Sequence, residues 1–157
     1  MNVRKYAKRS YYCVIFKSAS CPSPFKRRGT ECFFVHEDKA DLLNWDEARV
    51  RCLAMGKGVD LAEPHDMVDF VKYIKENYAE SKSTIWLGAT DRETEGEWDW
   101  VSGGHVQTAV WTPWPNNQPS GDGNCMEIHH WPHTGFTLTD WHCYKKGHFA
   151  CEFNEAK

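Results

Sequence analysis

The sequence predicts an α+β domain, and three observations carry that prediction. Two amphipathic segments with helix-capping residues lie in the first half, short apolar strands follow from residue 85, and a stretch at 105–124 rich in Gly, Pro, Asn and Trp shows little periodicity. An irregular stretch that long inside a compact domain is usually functional. At 157 residues the chain suits a single domain.

Residues 1–20 form an N-terminal arm, basic and polar before Tyr11-Tyr12, that leads into a first strand; the domain proper spans 21–154. Cys21-Pro22-Ser23-Pro24 through Cys32 has loop composition, and Phe33-Phe34-Val35 is a short apolar strand. Asn44 and Glu47 are spaced as a capping box, Trp45, Ala48 and Cys52 then recur on one face, and Gly56 suits the stop. A second helix starts at Pro64, with Met67, Phe70, Val71 and Ile74 at the helical spacing. Ile85–Ala89 forms a buried strand and Glu97–Val101 alternates as a half-buried one. Cys125–Ile128, Phe136–Thr139 and Phe149–Phe153 are the closing strands.

A net charge of −3 lacks the electrostatic footprint of a nucleic-acid binder. No apolar run approaches the ~20 residues that span a bilayer, so membrane insertion is not expected. Met1–Tyr6 has no apolar core of a signal peptide, so secretion implies a leader removed ahead of this numbering. Seven cysteines in so short a chain point to an oxidising compartment, and none are spaced as the close pairs of a zinc site. An odd count leaves one thiol over. No G-x-S-x-G, H-E-x-x-H or phosphate-binding loop is present, and an enzyme is not expected.

Trp86-Leu87-Gly88-Ala89, followed by Asp91-x-x-x-Glu95-Gly96-x-Trp98-x-Trp100 and Gly103, resembles the signature of C-type lectin-like domains. Trp45-x-Glu47-Ala48-x-x-x-Cys52 and the ending Cys151-Glu152-Phe153 fit the same pattern. Gln118-Pro119-Ser120 stands where the family has Glu-Pro-Asn or Gln-Pro-Asp, and Leu138-Thr139-Asp140 where it has Trp-Asn-Asp. The match covers about Cys21 to Phe153, in the family's long form, which includes soluble invertebrate lectins. The resemblance implies two helices, small antiparallel sheets and a long irregular ligand-binding loop. It also implies the pairings Cys21–Cys32, Cys52–Cys151 and Cys125–Cys143. Cys13 is left over, either an intermolecular bridge that makes a homodimer or a buried or capped thiol.

The resemblance further implies an extracellular lectin that binds glycans through calcium, an ion that takes six to eight oxygens and leaves places for sugar hydroxyls. The sequence keeps part of that site. Gln118 supplies an amide oxygen and in the family leans toward galactose-type rather than mannose-type ligands; the choice stays open because Ser120 replaces Asn or Asp. Asp140 is kept as the best metal-ligand candidate. Thr139 replaces Asn, and Gly123 stands where an acid is common, so Asp122 is the substitute and Asn124 a weaker donor. Asp91 and Glu95 match a second, supporting calcium site. Such a set suggests calcium affinity of about 10⁻⁴–10⁻³ M. Trp114 is the candidate ring for stacking on a sugar. His129, His130, His133 and His142 make a histidine-dense stretch, but neighbours on a strand face opposite ways, which favours a pH-sensitive surface over a joint metal site. The alternative function is a domain of the same fold that has lost calcium and binds a protein or other surface. A mineral-binding role would favour stronger acidity than −3.

Overall fold

The structure, a computed structural model, describes residues 20–78, 84–106 and 117–155. Cys13, Trp111 and Trp114 lie outside the described residues.

The first helix, α1 (Trp45–Leu53), forms where the capping box places it: Glu47 N donates to Asn44 Oδ1 at 2.9 Å, and Asn44 N to Glu47 Oε2 at 3.0 Å. The second, α2 (Met67–Asn77), begins later than Pro64. Asp66 is its cap, accepting from Asp69 N at 2.8 Å, and Pro64 lies in the irregular stretch before it. Phe70, Val71 and Ile74 turn inward as their spacing requires.

Among the described residues, eight strands surround the helices: β1 (Lys26–Arg28), β2 (Glu31–Val35), β3 (Val59–Leu61), β4 (Ile85–Thr90), β5 (Asp99–Trp100), β6 (Cys125–Trp131), β7 (Gly135–Trp141) and β8 (His148–Phe153). The segment expected to be a loop after Cys21 is a small hairpin, β1 against β2, closed at Gly29 with φ +57°. β3 is a strand that the sequence pattern does not predict, too short for a two-residue period to show. The hairpin β6–β7 is longer than expected and takes in His129, His130 and Trp131. The main path runs β1-β2-β8-β4-β6-β7, with β3 paired to β8 and β5 to β4. β8 meets β2 and β3 antiparallel but β4 parallel, so the sheet is mixed rather than wholly antiparallel.

Each helix covers its own apolar cluster. Phe33, Phe70, Ile74, Leu87, Ile128 and Leu138 pack beneath α2, while Trp45, Cys52, Leu61, Trp86, Phe149 and Cys151 pack beneath α1. The buried indoles of Trp45 and Trp86 are satisfied: Trp45 Nε1 donates to Leu87 O at 2.8 Å and Trp86 Nε1 to Leu43 O at 3.1 Å.

Among the described residues three disulfides join Cys21 to Cys32, Cys52 to Cys151 and Cys125 to Cys143, the pairings the resemblance implied. Cys52–Cys151 closes a separation of 99 residues. By the loop-entropy argument it contributes about 4–5 kcal/mol. Bidentate ion pairs add geometry at the edges: Arg28–Asp69 ties β1 to α2 at 2.6 Å, and Arg49–Asp60 ties α1 to β3 at 3.1 Å.

Candidate functional site

The candidate residues gather where β4 ends and β6 begins. Thr90 pairs with Cys125, which places Asp91 beside Asn124. Asp91 is 2% exposed; its Oδ2 accepts from Gly96 N at 2.9 Å and closes the 91–96 turn. Asn124 Nδ2 lies 3.2 Å from Asp91 Oδ1 and 3.4 Å from Glu95 Oε2, so both acids converge on one side-chain amide. Arg92 holds the turn from the other side. It forks onto Asp46 at 2.7 and 2.9 Å and lies 4.8 Å over the Trp45 ring. That hydrogen bond keeps the Asp46 carboxyl below the ordinary carboxylate range.

The second group lies in the loop before β6. The Gln118–Pro119 bond is cis, and Asn117 before it adopts φ 70°. Asp140, 1% exposed on β7, collects this loop around its carboxylate. Oδ1 accepts from Ser120 N at 2.6 Å, and Oδ2 from Gly121 N at 3.0 Å and Gly123 N at 3.2 Å. Ser120 Oγ stands 3.1 and 3.0 Å from the same two oxygens and 2.5 Å from Asp122 Oδ1. One hydroxyl therefore lies between two carboxylates, with a single proton to give. Thr139 turns its hydroxyl to the Asp140 carbonyl at 2.9 Å.

Gly123, in the place where the family often has an acid, touches the Trp141 main chain so closely that any Cβ would collide with it. That approach lets its N–H reach Asp140. A donor to the anchor thus stands where a metal ligand might be sought. Gly121, at φ +76°, approaches Glu95 Oε1, so the loop and the 91–96 turn adjoin.

Two donor sets follow. Asp91, Glu95 and Asn124 fit a hard cation: turning the Asn124 amide over, an assignment fixed only by hydrogen bonding, presents three oxygens to one place. In the loop, Gln118 Oε1 is buried and has no hydrogen-bond partner among the described residues. Asp122 is exposed beside it in sequence. Asp140 differs, because loop donors already occupy both its oxygens. The structure brings together Ser120, Asp122 and Asp140 in one group and Asp91, Glu95 and Asn124 in the other. His129 and His130 point to opposite faces of β6, His130 against Phe136 with ring centroids 4.9 Å apart. What sequence reasoning missed is Glu127, fully buried on β6; the period-2 signal Cys125, Glu127, His129 was there to find it.

Residues 41–153 match the model of the Lectin C-type domain, well over half of the chain. The chain belongs to the C-type lectin domain family. A C-type lectin mannose-binding isoform of Notechis scutatus scutatus is 27% identical over 139 residues, covering 86% of this chain and 84% of that protein. The C-type lectin mosGCTL-7 of Aedes aegypti is 32% identical over 127 residues, 76% of this chain and 81% of that protein. Among solved structures, the C-type lectin domain of murine dendritic cell inhibitory receptor 2, in complex with N-glycan, superposes with a TM-score of 0.73 at 22% identity, covering 87% of this chain and all of that one. At that identity the likeness is one of fold. Members of this family are binding domains rather than enzymes, and among the described residues no helix of this lectin domain is long and apolar enough to cross a membrane.

Proposed function

We propose that this C-type lectin domain is a secreted glycan-binding protein of innate immune or cell-surface recognition, and that it binds its sugar beside calcium at the loop end of the sheet. The observation that carries the reading is the pairing of two donor sets around Gly121: Asp91, Glu95 and Asn124 on one side, Gln118, Ser120 and Asp122 on the other. Relatives bearing lectin names, one called mannose-binding, support the glycan.

When bound, calcium would supply a positive centre for vicinal sugar hydroxyls. The chain's own residues do the rest. Asp91, Glu95 and Asn124 would hold the supporting ion and stiffen the turn. Gln118 Oε1, with no hydrogen-bond partner among the described residues, would accept from a sugar hydroxyl or ligate, and Asp122 adds a carboxylate. Asp140 shapes the loop through its amide contacts and becomes a ligand only by releasing some of them. Trp114 would stack on the sugar. The leaning of Gln118 is toward galactose-type glycans, with mannose-type as the competing outcome.

A glycan array run with calcium and with EDTA tests this. Binding abolished by EDTA is expected, and EDTA-insensitive binding would favour the second reading, a calcium-independent domain for a protein or another surface. The saturated Asp140 carboxylate is the observation in that reading's favour. Weak single sites need valency. Six of the seven cysteines are paired, which leaves Cys13 for a subunit link in a homodimer. A gel with and without reductant should show a dimer that collapses to monomer.

A further inference from the structure

α1 buries Trp45, Ala48 and Cys52 against the domain, so its outward face should be polar. It is not. Val50 is 65% exposed and Leu53 50%, three residues apart and therefore neighbours on one side of the helix. Of the exposed large hydrophobic side chains among the described residues, only these two share an element. Ala54, exposed at the cap, continues the stripe one turn beyond Val50. Beside the stripe lies a cleft of about 510 Å³ between α1 and the residues that lead into it. Its lining is apolar at Leu43, Val50 and Ala54 and charged at Asp46, Glu47 and Arg51. Leu53 does not line it. An exposed leucine and a part-apolar cleft thus lie side by side on one surface, and contiguous apolar surface of this kind marks an interaction site.

We propose that the outward face of α1 packs against the same face of a second copy of this chain, antiparallel about a two-fold axis, with each Leu53 seated in the other copy's cleft. A two-fold interface must be complementary to itself, because every contact is made twice with the roles exchanged. A leucine beside a cleft meets that demand. The charges meet it as well. The acids Asp46 and Glu47 stand in the first turn of α1, while Arg51 is in its last turn and Lys57 lies just past its end. Antiparallel packing lays each acidic end over the other copy's basic end and sets the two helix dipoles in opposition, both favourable. Within one chain the rim is already neutral: Asp46 pairs with Arg92, Glu47 with Lys146 and Asp41 with Arg51. A strongly charged ligand therefore finds no field here to steer it, and a second copy meets no repulsion. The helix is nine residues long, so the face is at the small end of specific interfaces and the dimer should form only as concentration rises. The face contains neither Cys13 nor any donor of the loop end, so it stands or falls apart from the disulfide link, calcium and sugar.

Sedimentation velocity of the full chain carrying Cys13→Ser, in EDTA and without glycan, tests the assignment. The serine removes the disulfide route to a dimer and EDTA removes calcium, so neither can stand in for the face. A dimer whose share grows with protein concentration is expected. Val50→Glu and Leu53→Glu, each added to that background, should raise the dissociation constant at least tenfold by placing a charge in the packed centre. Val68→Glu, at a valine 56% exposed on α2, should leave it unchanged. All three positions are exposed, and an unchanged urea midpoint shows that each variant keeps its fold. A Cys13→Ser chain that stays monomeric at every concentration overturns the proposal and gives the face to another occupant. A dimer that Val50→Glu and Leu53→Glu leave as tight as before overturns it too. The glycan array, run on the same variants, reports the sugar reading separately.

Discussion

Asp140 and Glu127 are buried acids on the two strands of one hairpin, separated by a single step of the ladder because Asp140 pairs with Met126. They face opposite sides of the sheet and are satisfied in opposite ways. Asp140 accepts from three backbone amides and a hydroxyl, and its charge is distributed over a loop that would otherwise have no reason to keep its shape. Glu127 has no hydrogen bond among the described residues, only an ion-pair contact with His129 Nδ1 at 3.2 Å. Equal burial therefore conceals an architectural acid and an unsatisfied one. The occupancy of the lone pairs separates the two.

The comparison breaks most visibly at Asp140. Asp140→Ala would leave the buried Gly123 amide unpartnered, at about 1–3 kcal/mol, and give up the hydrogen bonds of the Ser120 and Gly121 amides, at about 0.5–1.5 kcal/mol each, so a loss of about 2–6 kcal/mol in urea unfolding is expected together with loss of glycan binding. An Asp140→Ala protein of parental stability would show that the amides do not depend on it. Next in size is Gly123→Ala. Its methyl must push the loop off the Trp141 main chain, and overpacking of this kind costs about 1–3 kcal/mol; the same denaturation series reads it, and a neutral result would mean the loop is looser than its contacts. Glu127→Gln should have the reverse sign. Among the described residues Glu127 has only the His129 ring, at 3.2 Å, to set against the cost of its burial, so removing its charge should raise stability by about 1 kcal/mol, and destabilisation would place Glu127 with Asp140 as an architectural acid.

The smallest effect concerns buried groups that avoid charge altogether. Burial sets the His36 and His148 rings below the ordinary imidazole value of 6.5, against the opposing pull of Asp41 on His36 and with the help of His36 at His148. As pH falls through that value the unfolded chain takes up protons that the folded rings resist, so protons favour unfolding. Stability should hold above pH 6.5 and decline below it, toward the depressed folded-state values. The urea midpoint should thus be lower at pH 5 than at pH 7.5, and the gap should narrow in His148→Gln.

Local chemistry was legible in the sequence. Asn44 and Glu47 announce α1 because a capping box is written in four residues, and Trp86–Ala89 announces β4 because a fully buried strand is continuously apolar. The residues of the Asp91 cluster and the Asp140 loop were legible through the family motif. Their partners were not. Asp140 as an anchor depends on the directions of three N–H groups up to 20 residues away, which no spacing encodes. Glu127 looked like the polar half of an alternating strand, and only tertiary packing closes over it. The β1 hairpin and β3 were missed because three-residue strands owe their existence to pairing partners rather than to their own pattern.

The strand that β2, β3 and β4 all pair with is β8, the latest of the eight in chain order. A ribosome delivers the chain in the opposite sense to that dependence. Until residues 148–153 emerge, the two sides of the sheet have no shared seam, and the Cys52 thiol waits for a partner 99 residues downstream. The pairings of β2, β3 and β4 with β8 therefore need residues far apart in chain order to be present together, so this seam cannot grow strand by strand.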